Sequence, residues 1–390
     1  MTQSVSSVAT EDRFQLATYK KMPIVAERGE SVWLYTSDGE KYLDLYGGHA
    51  VAGTGHCHPH VVNALREQAG QLIFYSNLVY SNTRARAAEK LVSIAPSSLT
   101  KAFFCNSGTE ANENAMRMAR MATGREKILS FSGGFHGRTA DSISATFLGK
   151  YRDIGKPNVP GHLEAEFGNI DSVQALADDT VAAIMLEPIQ SMGGVRMAQP
   201  DFYRALRTLC DERGIVLIYD EVQTGVGRTG EWFFAGSEAG DGVVPDVVTL
   251  AKALGSGVPV GACLVSEAIS SHIKENDLGT TFGGGMLAMA AVTATLEAIE
   301  NDGMLENVRR VEAYLRRRLR EVRQVVAVHG RGFLLGIEFE DNAAAIHKRL
   351  LEQKIITGTS NNPKVLRLLP PLCLTEEHID AFVLATDFYG

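Results

Sequence analysis

Cysteine is scarce in this sequence. Cys57, Cys105, Cys210, Cys263 and Cys373 are odd in number, scattered, and never paired as C-x-x-C. That argues against a disulfide framework and against a zinc site, and all five read as reduced, mostly packing residues. Positive charge is also short: 38 Lys and Arg against 46 Asp and Glu leave a formal net charge of −8. Without a basic field, neither nucleic acid nor an anionic membrane surface is an expected partner, and small molecules are. Long apolar runs are missing too. Stretches such as Val181 to Leu186 fall far short of a membrane span, and Met1 to Arg13 is polar with no apolar signal core, so the expected compartment is the cytoplasm. No low-complexity linker, internal repeat or charge block divides the chain.

What is present is core. With 390 residues and 45% hydrophobic content, the chain is long enough for two domains. Short apolar, β-rich runs (Ala102 to Cys105, Lys127 to Phe131, Ala182 to Leu186, Ile215 to Tyr219, Val247 to Leu250, Gly261 to Val265) alternate with segments of helical period. Such alternation predicts a mostly parallel sheet covered by helices. Pro200 suits a first helical position, Phe202, Leu206 and Leu209 share a face, and Gly214 ends that helix before Ile215 opens a strand, a βαβ passage. Beyond about residue 290 a long amphipathic helix places Leu305, Val308, Val311, Leu315 and Leu319 inward, followed by short strands around Phe333 to Phe339 and Val365 to Leu369. Arg316, Arg317 and Arg318 read as its solvated side. Near the start, Ser37-Asp38-Gly39-Glu40 lies between Val32 to Tyr35 and Tyr42 to Leu45, a hairpin signal. The expected division is residues 1–60 and 291–390 as a smaller domain and 61–290 as a larger one.

Four segments carry chemistry. The strand Ile215 to Tyr219 ends in Asp220-Glu221-Val222-Gln223, and an acid at the carboxyl end of a buried α/β strand stands where ligands bind. On its own it is equally a cap or a surface acid. A further apolar strand delivers Ala251-Lys252 into the glycine-bearing run to Gly261. A lysine there, desolvated, is a nucleophile toward carbonyls; taken alone it is more often a surface lysine, but its pairing with a buried acid suggests a Schiff-base lysine with a pyridinium partner. Cys105-Asn106-Ser107-Gly108-Thr109-Glu110-Ala111-Asn112 turns a strand into a helix whose inner face is Ala111, Ala115 and Met118. Its first turn suits a phosphate, yet Ser107-x-x-Glu110 equally fits a capping box. Last, Phe131-Ser132-Gly133-Gly134-Phe135-His136-Gly137-Arg138-Thr139 offers Phe135 for stacking and Arg138 for a carboxylate, although in isolation Phe135 reads by default as core and Arg138 as a surface ion-pair member.

Together these blocks, with Gly55-His56-Cys57-His58-Pro59, Glu187-Pro188-Ile189-Gln190, Gly227-Arg228-Thr229-Gly230, Thr281-Phe282-Gly283-Gly284 and Leu366-Arg367-Leu368-Leu369-Pro370-Pro371, resemble the class III, fold-type I aminotransferases that use pyridoxal 5′-phosphate. The acetylornithine and ornithine aminotransferase branch is the most similar. The resemblance runs over nearly the whole chain. It implies a large domain on a mixed seven-stranded sheet, a smaller α+β domain from both termini, and a homodimer with shared sites. It implies Lys252 as the Schiff-base lysine and proton shuttle, and Asp220 as the partner of the pyridinium nitrogen. Ser107, Gly108 and Thr109 would bind the phosphate, with Thr281 of the neighbouring subunit. Phe135 would cover the ring, Gln223 would lie near its phenolic oxygen, and Glu187 would line the site. Arg138 resembles the clamp for the α-carboxylate of an ω-amino donor, and Arg367 the clamp for glutamate or 2-oxoglutarate. No metal is implied; His56, His58 and His60 fall in the family's G-H-C-H-P turn and read as structural.

The chain departs from its relatives in one place that bears on substrates. They read E-P-I-Q-G-E-G-G, whose second glutamate pairs with the C-terminal arginine when no carboxylate is bound. Here the run is Glu187-Pro188-Ile189-Gln190-Ser191-Met192-Gly193-Gly194. Met192 cannot neutralise Arg367, so either another acid serves or the substrates bring the anion. The implied reaction is transfer from an N-acetylornithine-like donor to 2-oxoglutarate. A broad ω-amine or diamine transaminase, and a racemase or aminomutase on the same fold, are the alternatives.

Overall fold

The computed structural model describes residues 2–386. Its centre is a seven-stranded sheet of β1 (Leu99–Cys105), β2 (Lys127–Phe131), β3 (His162–Ala165), β4 (Val181–Leu186), β5 (Val216–Asp220), β6 (Val247–Leu250) and β7 (Gly261–Ser266), in the order β1-β7-β6-β5-β4-β2-β3. Strand β7 runs antiparallel to both neighbours, while the pairs β6–β5, β5–β4, β4–β2 and β2–β3 are parallel. Helices on both faces leave β4 buried along its whole length, which is why its sequence is an unbroken apolar run rather than an alternation. Six strands coincide with the apolar runs. The seventh, β3, reads His-Leu-Glu-Ala with Glu164 exposed, a short polar edge strand without an apolar signature.

The local signals explain the connections. Pro200 opens the helix Pro200–Arg213, Gly214 closes it in the left-handed conformation, and Phe202, Leu206 and Leu209 are buried on one face. The expected hairpin is present, with Trp33 opposite Leu43 and Tyr35 opposite Lys41. The helix Met304–Leu319 buries Met304, Val308, Val311, Leu315 and Leu319, leaving Leu305 only half-buried. Its arginines are not simply solvated. Arg316 pairs with Glu312 and donates to the Val328 and Gly330 carbonyls, fastening the helix to the strand Val325–Arg331.

Segments from the two ends of the chain share structure. Ile355–Ile356 pairs in parallel with Lys41–Asp44, and Leu369 N–H donates to the Leu45 carbonyl. The sheet formed by Val325–Arg331, Leu334–Phe339, Val365–Leu368 and Gly358–Thr359 lies beside them. The helix Met286–Asn301 continues across residue 290 and packs on the helices Pro59–Gln71 and Asn82–Ser93. No helix among the described residues is long and apolar enough to cross a membrane. The three histidines of the 55–60 turn each meet a different carboxylate, His56 with Asp44, His58 with Asp302 and His60 with Glu297.

Candidate active site

The carboxyl ends of the parallel strands open onto a cavity of about 880 Å³. Asp220 closes β5, Lys252 follows β6, Glu187 follows β4, Phe135 and Arg138 follow β2, and Ser107 to Thr109 follow β1. All of these line the cavity, together with Gln223 and Arg367. Thr281 does not. It is exposed on the surface, outside the cavity of its own chain.

Asp220 is buried and held from several sides. Its Oδ2 accepts from Asn112 Nδ2 at 2.7 Å and meets His136 Nδ1 at 2.8 Å, and its Oδ1 accepts from Val222 N–H at 3.1 Å. Asn112 is itself fixed, its Oδ1 accepting from Thr249 Oγ1 at 2.6 Å. A helix, the loop after β2 and the turn after β5 thus orient one carboxylate. Lys252 stands at φ 46°, a left-handed conformation that costs a non-glycine residue about 1–3 kcal/mol and concentrates at functional sites. Burial holds its ammonium below the ordinary range; Asp220 and Glu187 act against that shift and Arg367 with it. The result is a more readily deprotonated amine beside a carboxylate, the condition for a nucleophilic and proton-moving lysine.

Glu187 is buried, accepting from the N–H groups of Phe135 at 2.8 Å and Ser191 at 3.3 Å. Burial, and then the charge of Asp220, push it up to about 7. Phe135 stands edge-to-face with Tyr151 at 5.6 Å, and the exposed Arg138 lies over the same Tyr151 ring at 4.8 Å. At the start of the helix Gly108–Thr123 a variant of the capping box forms: Ser107 Oγ accepts from Glu110 N–H at 3.2 Å, while Glu110 reaches one residue further back, to Asn106 N–H at 2.8 Å, rather than to the Ser107 N–H. The N–H groups of Gly108 and Thr109, in the first turn, still lack intrahelical acceptors and border the cavity. Capping and an anion cradle therefore coexist. Gly137 makes room for it, since a Cβ there would lie 2.2 Å from Thr109 Oγ1.

At the far end Arg367 is 3% exposed. Nε donates to the Thr359 carbonyl at 2.7 Å, Nη1 to Ser191 Oγ at 3.0 Å and Nη2 to Tyr46 Oη at 2.6 Å. No carboxylate among the described residues pairs with it. The sequence offered two resolutions of the missing glutamate, and another acid is not the one adopted; neutral oxygens serve instead. Asn112, His136 and Ser191 lay unremarked inside quoted motifs, whereas Tyr46 and His49 gave no signal, because only the fold brings Tyr46 to Arg367 and His49 to Tyr46.

The class-III aminotransferase family model matches residues 14–386. The chain belongs to the class-III aminotransferases. This aminotransferase is 42% identical over 387 residues to the acetylornithine aminotransferase of Methanocaldococcus jannaschii, covering 97% of this chain and 96% of that protein. It is also 42% identical to the Archaeoglobus fulgidus protein of the same name, with 96% and 98% covered. Among solved structures, the ornithine aminotransferase of Toxoplasma gondii superposes with a TM-score of 0.91 at 26% identity, covering 99% of this chain and 94% of that one. The acetylornithine aminotransferase of Elizabethkingia anophelis gives 0.86 at 27%, covering 99% and 98%. A second Toxoplasma gondii structure, TM-score 0.90 at 26% identity with 98% and 93% covered, has pyridoxal phosphate partly occupying its active site.

Proposed function

We propose that this aminotransferase uses pyridoxal 5′-phosphate on Lys252 to take the amino group from an ω-amino donor of the N-acetylornithine kind and pass it to 2-oxoglutarate. The observation that carries this reading is a desolvated Lys252 lining the same cavity as an Asp220 carboxylate that Asn112 and His136 hold in place.

The residues present fit the cofactor. The Gly108–Thr109 helix start suits a phosphate. The buried Gln223 Oε1 has no partner among the described residues and borders the cavity, where it would face the cofactor. Asp220 would hold the ring nitrogen in its protonated form, and Phe135 would cover the ring. When bound, the cofactor supplies an aldehyde for amino groups and a ring that accepts electrons. The chain does the rest. Lys252 carries the proton to and from the substrate Cα, Arg138 takes the donor's carboxylate near the mouth, and Arg367 takes the carboxylate of the oxo acid at the buried end. Glu187, through the Phe135 N–H, holds the covering loop in place.

A homodimer with shared sites completes the reading. Leu72, Ile73, Tyr75, Leu78, Tyr80 and Phe282 are exposed, an apolar surface suited to a second copy. Thr281 stands in this region and would reach the neighbour's phosphate. We place the enzyme in the cytoplasm.

A half-reaction screen tests the substrates. Single donors are added to cofactor-loaded protein and the change in its visible spectrum is followed. Rapid change with N-acetylornithine and with glutamate is expected. Conversion only by amines without a carboxylate would support the broad ω-amine transaminase and discard the named donor; no conversion by any donor would favour the racemase or aminomutase reading.

A further inference from the structure

Residues 47 to 50 form a single left-handed turn beside the cavity. Gly47, Gly48, His49 and Ala50 have φ of 56°, 58°, 65° and 66°. Glycine adopts this conformation freely, but His49 and Ala50 each bear a strain of about 1–2 kcal/mol. Strain of this kind persists where the surroundings insist on it, and it points to a functional residue.

The turn places His49 against Tyr46, Nδ1 to Oη 3.0 Å, with the rings edge-to-face at 4.8 Å. Arg367 Nη2 donates to the same Tyr46 oxygen at 2.6 Å. A guanidinium has donors only, so Tyr46 accepts from Arg367, and among the described residues the acceptor within reach of its buried hydroxyl proton is His49 Nδ1. His49 Nδ1 is then the acceptor, and the ring's proton sits on Nε2. Both groups stay in the forms this order needs. Burial, then the cations Arg367, Lys252 and Arg138, hold His49 below its ordinary range, so it is neutral. Burial raises the Tyr46 phenol, and Arg367 acts against that rise.

We propose that His49 is a positioning residue for Arg367: by accepting the Tyr46 proton, it makes the tyrosine oxygen a fixed acceptor that holds the guanidinium without a carboxylate, keeping it open to the carboxylate of a dicarboxylic substrate. The inference rests on the reading of Arg367 as a carboxylate receptor. A glutamate counter-ion would have to be displaced before a substrate carboxylate entered. The Tyr46–His49 pair orients the arginine while leaving its charge uncancelled.

The experiment is titration of glutarate, a dicarboxylate with neither an amino nor an oxo group, into cofactor-loaded protein by calorimetry, alongside the visible spectrum as a check on loading. His49→Gly suits the left-handed turn but has no acceptor. His49→Asn tolerates the turn and puts an oxygen near the Nδ1 position. Tyr46→Phe removes the middle of the chain. We expect glutarate to bind the parent, His49→Gly and Tyr46→Phe to weaken it about tenfold, the scale of one hydrogen bond to a charged group, and His49→Asn to stay within about threefold of the parent. Binding to His49→Gly equal to the parent's overturns the proposal while leaving the carboxylate receptor standing. Equal losses in His49→Gly and His49→Asn also overturn it, since His49 would then matter only for packing. Absence of glutarate binding to the parent overturns the receptor reading itself, and this inference with it.

Discussion

The two ends of the cavity treat charge in opposite ways. At the Lys252 end, cation and anion stand together, and Asp220 takes hydrogen bonds from Asn112, His136 and the Val222 backbone. At the Arg367 end a buried cation has, among the described residues, a carbonyl, a serine hydroxyl and a tyrosine hydroxyl but no carboxylate. A buried charge without a counter-ion is costly unless something arrives to pair with it. On the proposed reading, the first end does the same chemistry on every substrate, while the second waits for a substrate carboxylate to complete it.

Breaking the first end should have the largest effect. Lys252→Ala is expected to lower turnover by at least about 10³-fold with every donor, because nucleophile and proton carrier are lost together; single-turnover kinetics measure this, and a fully active variant would end the mechanistic argument. Breaking the second end should discriminate between substrates. Arg367→Leu is expected to lower kcat/KM for glutamate by about 10²-fold, in line with loss of a charge-assisted bidentate contact, while amines without a carboxylate at that position change little. An equal loss for both kinds of donor would place Arg367 in structure rather than selection.

Supplying the missing counter-ion sharpens the contrast. Met192→Glu sets a carboxylate at the cavity wall near Arg367, and dicarboxylate affinity is expected to fall about tenfold as donor preference moves toward ornithine-like amines; a competition assay between glutamate and ornithine reads this directly. The smallest effect is on stability. Glu187 is raised from 4.5 to about 7, chiefly by burial and next by Asp220. A group raised in the folded state contributes stability that is complete below its unfolded value and lost as pH climbs through its folded value. Between about pH 5 and about pH 8 the melting temperature should therefore decline, and Glu187→Gln should decline less. Parallel melting curves for the two proteins would rule Glu187 out as the source.

The same contrast explains what could be read from the sequence. The Lys252 end was legible because each of its residues follows an apolar strand, and a parallel sheet gathers the ends of its strands at one place. Asp220 after Ile215 to Tyr219 and Lys252 after Val247 to Leu250 each read alone as an ordinary cap or surface charge, and only their combination suggested a site. Asn112 and His136 were in view but their target was not, since nothing in a sequence says which carboxylate an amide will meet. The Arg367 end draws Tyr46, His49, Ser191 and Thr359 from three distant stretches, so the absent glutamate was visible and its replacement was not. In the fold, apolar strands announced themselves, while the polar edge strand β3 and the short pairs Ile355–Ile356 and Gly358–Thr359 are set by their neighbours rather than by their own composition.

The pairing of Ile355–Ile356 with Lys41–Asp44 has a consequence for synthesis. Tyr46 and Arg367 touch across 321 positions of chain. A ribosome makes the amino-terminal hairpin early, yet the strand that extends its sheet emerges only when nearly all of the polypeptide has been translated. Contacts so far apart in sequence close slowly. The arginine pocket proposed to take a substrate carboxylate is therefore among the last parts of this enzyme to form, and a nascent chain halted before residue 355 has a sheet and a lysine but not that pocket.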